Sequence, residues 1–394
     1  MQQFSSINLR SFFLALVPVF GIYLVLPGFT LDIIILLILF ISDLLFKRKI
    51  VFNYKIILLF SVLFFCNFFS FIFSRTSIQS IFINNSIQMI FFAVLLCYFI
   101  QQEVNSVFIK TLHILGVFAS VFVLFQFVAF WVFNQSITLF LPLNTSVEDL
   151  DLLISISYGR PNSIFLEPAH FAIFILPLLY NSLVEKKYSL TAIYLLGLIF
   201  STSTTGFAIL IVILVYHFVF QMRNLKFLLL LAVLSVPFFF LSDFYDLLFS
   251  SNLDKLGADS IEDNNRLFGN FPLIFKMDIF NWFFGLGHNQ MSNFFSNYGI
   301  FVGNYSNSYL MIFFSFGLIG FLSLIIYVVD LYKLNINKGY FIVFLLVLLS
   351  DQILFNRNFF YLVSCIYFIR NTNLDASTNQ YSLKVFTRED DLQA

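Results

Sequence analysis

The sequence predicts an all-α polytopic integral membrane protein: a single transmembrane domain over residues 1–394, with about 12 transmembrane helices and two long loops on the outer side. Hydrophobic residues make up 60% of the chain and charged residues 11%, whereas soluble domains carry about 25% charged residues. Apolar runs near the spanning length of about 20 residues recur from end to end. The formal net charge is zero, so composition gives no indication of a nucleic-acid partner.

The predicted spans follow the apolar runs. They lie at residues 11–26, 30–46, 55–73, 81–100, 107–133, 169–184, 189–202, 206–221, 226–241, 308–329, 340–355 and 359–370. The first run follows Arg10 and resembles a signal peptide, but no small-residue cleavage site follows it, so we interpret it as a span.

Lysine and arginine are concentrated in the loops on one side, which predicts that both termini are cytoplasmic, including a polar tail at 371–394. Two long loops then lie outside, at 134–168 and 242–307. Loops of this length usually carry function. Within the second, FPLIFKMDIFNWFF (271–284) predicts a short amphipathic helix on the membrane surface.

The stretch GRPNSIFLEPAHFAIF (159–174) places three ionisable side chains at the mouth of the sixth span. Arg160 presents a fork of N–H donors suited to a phosphate, although a structural tie to a loop carboxylate such as Asp149 is an equal alternative. Glu167 and His170 share a helix face at a spacing of three residues. Glu167 is a helix-cap candidate or, with His170, a site for proton transfer.

The second long loop and the span after it hold the other candidates. Arg266 is a further outer arginine, which either binds a phosphate or ties down a loop carboxylate. His288, in GLGHNQ, is predicted to place an imidazole on the outer surface, where it is a candidate base. Asn307 and Tyr309 bring polar groups to the start of the tenth span and are candidate substrate contacts.

Other features indicate no metal or cofactor. The cysteines have no metal-type spacing, and no nucleotide-binding fingerprint is present. The acidic cluster at 148–151 is a weak metal candidate, and STSTTG (201–206) predicts only a tight turn. Two further outer arginines, Arg75 and Arg357, lie in short turns and are expected to contact lipid headgroups.

The order of spans and motifs resembles the Wzy-type O-antigen polymerases, in a superfamily that includes the O-antigen ligases. The resemblance is carried by GR…FLEPAHFA at the sixth span and by R…FFGLG…NSYL…FGLIG near the carboxyl end. It implies a metal-independent glycosyltransferase of the bacterial inner membrane. Such enzymes join undecaprenyl-pyrophosphate-linked oligosaccharide repeats into O-antigen, capsule or exopolysaccharide, and both long loops would be periplasmic.

The resemblance also implies roles for residues. Outer arginines bind the pyrophosphate, and an acidic or histidine side chain activates the acceptor hydroxyl. Arg160, Glu167 and His170 fall in the first signature and Arg266 in the second. The expected partners are lipid-linked donor and acceptor, membrane lipid and a chain-length regulator. In the ligases a histidine precedes the asparagine of the NSYL-type segment; this chain has Ser306 there, which favours a polymerase.

Two alternatives remain open at this stage. An O-antigen ligase differs only in its acceptor, and His288–Asn289 mimics the ligase spacing. A lipid-linked oligosaccharide flippase or other transporter requires charges at mid-membrane and discontinuous helices. The polar groups of this chain lie mostly outside the spans, which argues against a transporter.

Overall fold

The computed structural model describes residues 2–21, 23–26, 29–47, 53–73, 78–100, 106–135, 137, 160–221, 270–300, 303, 306–334 and 338–368. Within these residues the chain is helical apart from one two-stranded ribbon. The 226–241 span, Arg266, Arg75, the acidic cluster at 148–151 and the 371–394 tail lie outside the described residues.

The first half of the chain contains α1 (Gln2–Phe20), β1 (Leu24–Leu26), β2 (Phe29–Thr30), α2 (Leu31–Lys47), α3 (Tyr54–Phe73), α4 (Gln79–Ile100) and α5 (Ser106–Phe133). After the first long loop come α6 (Pro168–Val184), α7 (Tyr188–Phe200) and α8 (Thr204–Val215), which continues as a π-helix over Tyr216–Gln221. The rest comprises a 3₁₀-helix (Phe271–Lys276), α9 (Ile279–Phe284), α10 (Met291–Ser296), α11 (Ser308–Leu334), α12 (Lys338–Ser350) and α13 (Arg357–Phe368).

The helices fall on the predicted apolar runs, which confirms a helical membrane protein in outline. Five helices of the described residues, α3, α4, α5, α8 with its π-extension and α11, are long and apolar enough to cross a membrane. The total of about 12 spans stays a prediction. The first prediction, 11–26, is wrong at its end: α1 stops at Phe20, and Leu24–Leu26 pairs instead with Phe29–Thr30. The N–H of Leu31 donates to the carbonyl of Tyr23 and closes this ribbon (2.8 Å).

Helix α6 lies at the centre of the main bundle. Every side chain from Phe171 to Leu183 is buried. The neighbours that cover it are α5, α7, α8, α12 and α13. A helix that is apolar on all sides must be enclosed by other helices or by lipid, and here protein encloses it.

Contacts between distant segments define two ends of the bundle. One, named the Arg160 end, contains the turn between α1 and α2, the end of α5, the starts of α6, α11 and α13, and the turn between α7 and α8. The other, named the Lys55 end, contains Lys55 with its ion-pair partner Asp330 (3.1 Å) and Tyr340 bonded to Asn181 (2.7 Å).

Cations of the described residues are concentrated at the Lys55 end, as the positive-inside rule requires if the Arg160 end faces outward. The Lys55 end holds Arg10, Lys55, Lys110, Lys186, Lys187, Lys333 and Lys338, and the Arg160 end holds Arg160, Lys276 and Arg357. The orientation itself stays a prediction.

Helix α11 is broken. Gly317 has φ +64° and ψ −165°, which no α-helical residue adopts. The two carbonyls that the break exposes, those of Phe314 and Ser315, accept hydrogen bonds from the N–H groups of Leu286 (2.7 Å) and Gly287 (3.0 Å). The break is therefore satisfied by protein, as irregular backbone at membrane depth must be. A discontinuous helix is a feature the transporter alternative requires, but here neighbouring backbone fills it.

The segment that fills the break is a hairpin of α9 and α10, residues 279–296, which we name the inserted hairpin. Its first helix runs antiparallel to α3, because the ring of Phe280 contacts Phe73 (5.0 Å) and that of Phe284 stacks on Phe69 (5.3 Å). Trp282 packs edge-on against Phe313 of α11 (5.1 Å). The hairpin thus enters the bundle between α3 and α11.

The prediction of one amphipathic helix over 271–284 on the membrane surface therefore differs from the structure. The backbone breaks at Met277, and the carboxylate of Asp278 accepts the N–H of Asn281 (2.8 Å), which starts a second helix. Leu286, Met291, Phe294 and other apolar residues of this region form a separate core with the first part of α11. Burial against α11 stabilises the inserted position.

Candidate functional site

The stretch at 159–174, which carries the first signature, is held in place by Gln126. The side-chain amide of Gln126 is buried inside the apolar helix α5. Its Oε1 accepts the N–H of Ser163 (2.7 Å) and its Nε2 donates to the carbonyl of Ile137 (2.9 Å). Asn162, also buried, donates to the carbonyl of Leu166 (3.1 Å). Sequence reasoning missed Gln126, although a single amide in an apolar run is a usable signal.

Arg160 lies next to the turn between α7 and α8. Its Nη2 donates to the carbonyl of Thr202 (3.2 Å). In the same turn the Ser203 hydroxyl accepts the N–H of Gly206 (3.1 Å) and caps α8. Gly206 packs closely on α6, since a Cβ there would lie 2.6 Å from that of Ala172. The STSTTG turn, predicted to be only a turn, is thus part of the surroundings of Arg160.

Glu167 and His170 lie one helical turn apart at the start of α6, as predicted. The carbonyl of Glu167 accepts the N–H of His170 (3.1 Å), and both side chains are half-buried. Glu167 occupies the N-cap position, but its carboxylate makes no capping hydrogen bond. The structure therefore gives the carboxylate no capping function, and the proposed role in proton transfer stays a prediction.

His288 is not on the outer surface, where the sequence was expected to place it. It lies in the loop between α9 and α10 of the inserted hairpin and is 6% exposed. Its ring stacks on Phe316 (5.8 Å) and contacts Phe355 (4.8 Å). Its N–H donates to Asn67 Oδ1 (3.0 Å) and its carbonyl accepts from Asn85 Nδ2 (2.6 Å). The two asparagines, on α3 and α4, hold the hairpin in the bundle.

Burial lowers the pKa of His288 to about 4, so the ring is neutral at neutral pH. A histidine whose folded pKa lies below its unfolded value near 6.5 favours the folded state only while it is unprotonated, so stability is lost as pH falls from about 6.5 towards 4. We expect the wild-type protein in detergent to lose about 2 kcal/mol more stability than His288→Phe between about pH 7 and about pH 5. Thermal unfolding at both pH values measures this, and equal losses in the two proteins would contradict it.

Asn307 and Tyr309 lie at the start of α11. The Oδ1 of Asn307 accepts the N–H of Leu310 (2.9 Å), so the buried amide caps the helix. Tyr309 is half-buried, with its ring 6.5 Å from that of Phe321. Between them the Ser308 hydroxyl donates to the carbonyl of Asp351 (2.8 Å), which ties α11 to the turn between α12 and α13. A contact with substrate stays a prediction for both residues.

Arg357, expected to contact headgroups, has a protein partner in the structure. It is half-buried at the first position of α13 and faces Asp32. Sequence analysis did not single out Asp32, which is 5% exposed at the start of α2. Its signal in the sequence was a lone carboxylate at the entry to an apolar run.

The structure thus brings Arg160, Glu167, His170, Asn307, Tyr309 and Arg357 to one end of the bundle and buries His288 beneath that end. No group of histidine, cysteine or carboxylate side chains suited to a metal ion occurs among the residues that the structure describes. Metal independence stays a prediction.

Residues 189–325 match the family model described as O-antigen ligase. The match covers less than half of the chain and extends from α7 through the inserted hairpin to beyond the break in α11. It supports the O-antigen polymerase/ligase superfamily, whose members are multi-pass membrane enzymes acting on lipid-linked oligosaccharides. Searches of curated proteins and of solved structures returned no match.

Proposed function

We propose that the protein is a membrane glycosyltransferase that polymerises undecaprenyl-pyrophosphate-linked oligosaccharide units at the Arg160 end, facing the periplasm of a bacterial inner membrane. The proposal rests on one contact, in which Arg160 Nη2 donates a hydrogen bond to the carbonyl of Thr202. The contact joins the motif at 159–174, which lies outside the family match, to the first turn inside it. The motif and the matched segment thus meet at one place.

The proposed reaction is a single displacement at the anomeric carbon of the donor. The bond to the pyrophosphate oxygen breaks, a bond to the acceptor hydroxyl oxygen forms, and the hydroxyl proton passes to a protein base. Arg160, half-buried and held by Thr202, compensates the negative charge that develops on the leaving pyrophosphate. Arg266 is proposed as a second guanidinium acting on the same group.

Glu167 and His170 are proposed as the base and its orienting partner. Their half-buried position at the start of α6 favours a polar substrate entering from the Arg160 end. His288 fits this role poorly, because its ring is buried between Phe316 and Phe355 and is weakly basic. Its position fits a function in fixing the inserted hairpin.

The description of the matched family favours a second candidate, an O-antigen ligase, which would transfer finished polymer to a different acceptor. We place polymerisation first because Ser306 stands where the ligases carry a histidine. A buried hydroxyl there is a much weaker base than an imidazole. A chain-length regulator and cytoplasmic termini belong to the same proposal.

Profiling surface glycan size in a deletion strain separates the candidates. A polymerase predicts that the ladder collapses to a single repeat. Loss of all surface attachment, with long lipid-linked polymer retained, would indicate the ligase instead. Loss of every repeat from the surface, with movement of lipid-linked units across vesicles by the purified protein, would indicate a transporter. An unchanged ladder would contradict all three candidates.

A further inference from the structure

Asp32, which is buried, and Arg357, which is half-buried, are two opposite charges that face each other and that the proposed mechanism does not use. A Cβ built on Gly21 would lie 2.8 Å from Arg357 Nη1 and 3.0 Å from Asp32 Oδ2, so both charged groups converge on the space beside this glycine. The pair joins the turn between α1 and α2 to the first turn of α13. It lies at the Arg160 end of the bundle.

The register of α13 on α6 places Arg357 level with His170. The start of α12 meets the end of α6, where Tyr340 donates to Asn181, so α12 is antiparallel to α6 and α13 is parallel to it. The Tyr361 hydroxyl donates to the carbonyl of Phe174 (2.8 Å). One turn earlier along each helix are Arg357 and His170. The charge pair therefore lies at the same depth as the proposed base.

Each member of the pair keeps one buried polar atom without a hydrogen-bond partner among the described residues, Asp32 Oδ1 and Arg357 Nε. Buried polar atoms are paired in nearly all folded proteins because desolvating them is costly. Such atoms at the depth of a proposed active site are candidates for contact with a substrate.

The chemistry of the pair indicates which part of the substrate it fits. A pyrophosphate does not fit, because the carboxylate of Asp32 compensates the guanidinium and repels an anion. A sugar hydroxyl does fit, since it donates to Asp32 Oδ1 and accepts from the Nε–H of Arg357, the two buried atoms without a partner among the described residues. Carboxylate and guanidinium also make stronger hydrogen bonds than neutral groups.

We propose that Asp32 and Arg357 form a saccharide subsite that binds a hydroxyl of the lipid-linked repeat unit beside the pyrophosphate site. This inference rests on the proposed function. It gives the two arginines of the described Arg160 end separate roles: Arg160 contacts the leaving group, and Arg357 contacts the sugar.

The test uses purified protein in lipid vesicles, with the lipid-linked unit extracted from the deletion strain as donor and acceptor. Asp32→Leu/Arg357→Met replaces the pair with apolar side chains of similar size, which buried pairs often tolerate. We expect normal protein yield and a kcat/KM at least about tenfold lower, mainly through KM. The matched control is Arg10→Met/Asp43→Leu, which removes a similar buried pair near the Lys55 end and should leave KM unchanged.

A second measurement uses the wild-type protein, so it does not depend on the folding of a variant. Synthetic repeat units that each lack one hydroxyl are compared with the intact unit. With the wild-type protein we expect one deoxy unit to have a kcat/KM about tenfold or more below that of the intact unit. With Asp32→Asn we expect most of this difference between the two units to disappear. Equal use of every deoxy unit by the wild-type protein would overturn the subsite.

The two proposals fail in different ways. If wild-type vesicles join no units, the proposed function is wrong. If they join units in an Arg160-dependent manner and the apolar pair works as well as the wild type, only the saccharide subsite is wrong.

Discussion

Replacing Arg160 with glutamine is expected to abolish long-chain glycan while the protein reaches its normal level in the membrane. The substitution keeps a polar side chain next to Thr202 but removes the positive charge. The loss of one fixed charge-stabilising group lowers turnover by about a hundredfold or more. Glycan ladders on gels measure the loss, and immunoblots of membranes measure the level.

Lys276 provides the matched control. It is an exposed cation near the same end of the bundle, on the 3₁₀-helix. Lys276→Gln should leave the ladder unchanged, because an exposed cation is screened by water and salt. Arg160→Lys should retain part of the activity, since it keeps the charge and loses the fork of donors. Glycan of normal length in cells with Arg160→Gln would contradict the proposed mechanism.

Replacing Gly317 with alanine is expected to prevent accumulation of folded protein. A Cβ on residue 317 would clash with the carbonyl oxygen of Phe283. In addition, a φ of +64° is strained for any residue with an L side chain. Backbone overlap and strain together cost about 3 kcal/mol or more. The inserted hairpin cannot then make its bonds to Phe314 and Ser315. Detergent-extracted yield and fluorescence-detected size exclusion measure the loss.

Gly299→Ala separates backbone strain from packing. Gly299 also has a positive φ, +71°, but nothing lies within 4 Å of the added Cβ. We expect it to cost about 1 kcal/mol and to leave yield nearly normal. If the yield of Gly317→Ala equals that of Gly299→Ala, the close contact between the inserted hairpin and α11 is not required for folding.

The positions of the helices could be predicted because each is an apolar run closed by polar or charged residues. The end of α1 could not, since the apolar run continues through Leu24–Leu26 and only pairing with Phe29–Thr30 turns it into a strand. His113 is packed within α5, where its Nδ1 lies 2.8 Å from the Tyr194 hydroxyl.

The inserted hairpin was beyond sequence reasoning because its partners are distant in the chain. Nothing in the local sequence indicates that the N–H of Leu286 bonds to the carbonyl of Phe314. The expected surface position of His288 failed for the same reason, as Asn67 and Asn85 are more than two hundred residues away.

The candidate site was predictable where its residues are close in sequence. Arg160, Glu167 and His170 were identified from one stretch, and the structure places Glu167 and His170 at the start of α6 and Arg160 beside Thr202 at the same end of the bundle. Asp32 was not identified, and Arg357 was expected only to contact headgroups, because two single charges at opposite ends of a chain give no sign that they meet.

The most direct test of glycosyl transfer at the Arg160 end is a reaction with purified components. Protein in lipid vesicles is given the extracted lipid-linked unit alone, and lipid-linked products and free undecaprenyl pyrophosphate are counted together. The expected result is products of two and more repeats, one undecaprenyl pyrophosphate released per linkage, and neither with Arg160→Gln. Linked product formed as fast by Arg160→Gln as by the wild type, or no product from the wild type, would contradict the account.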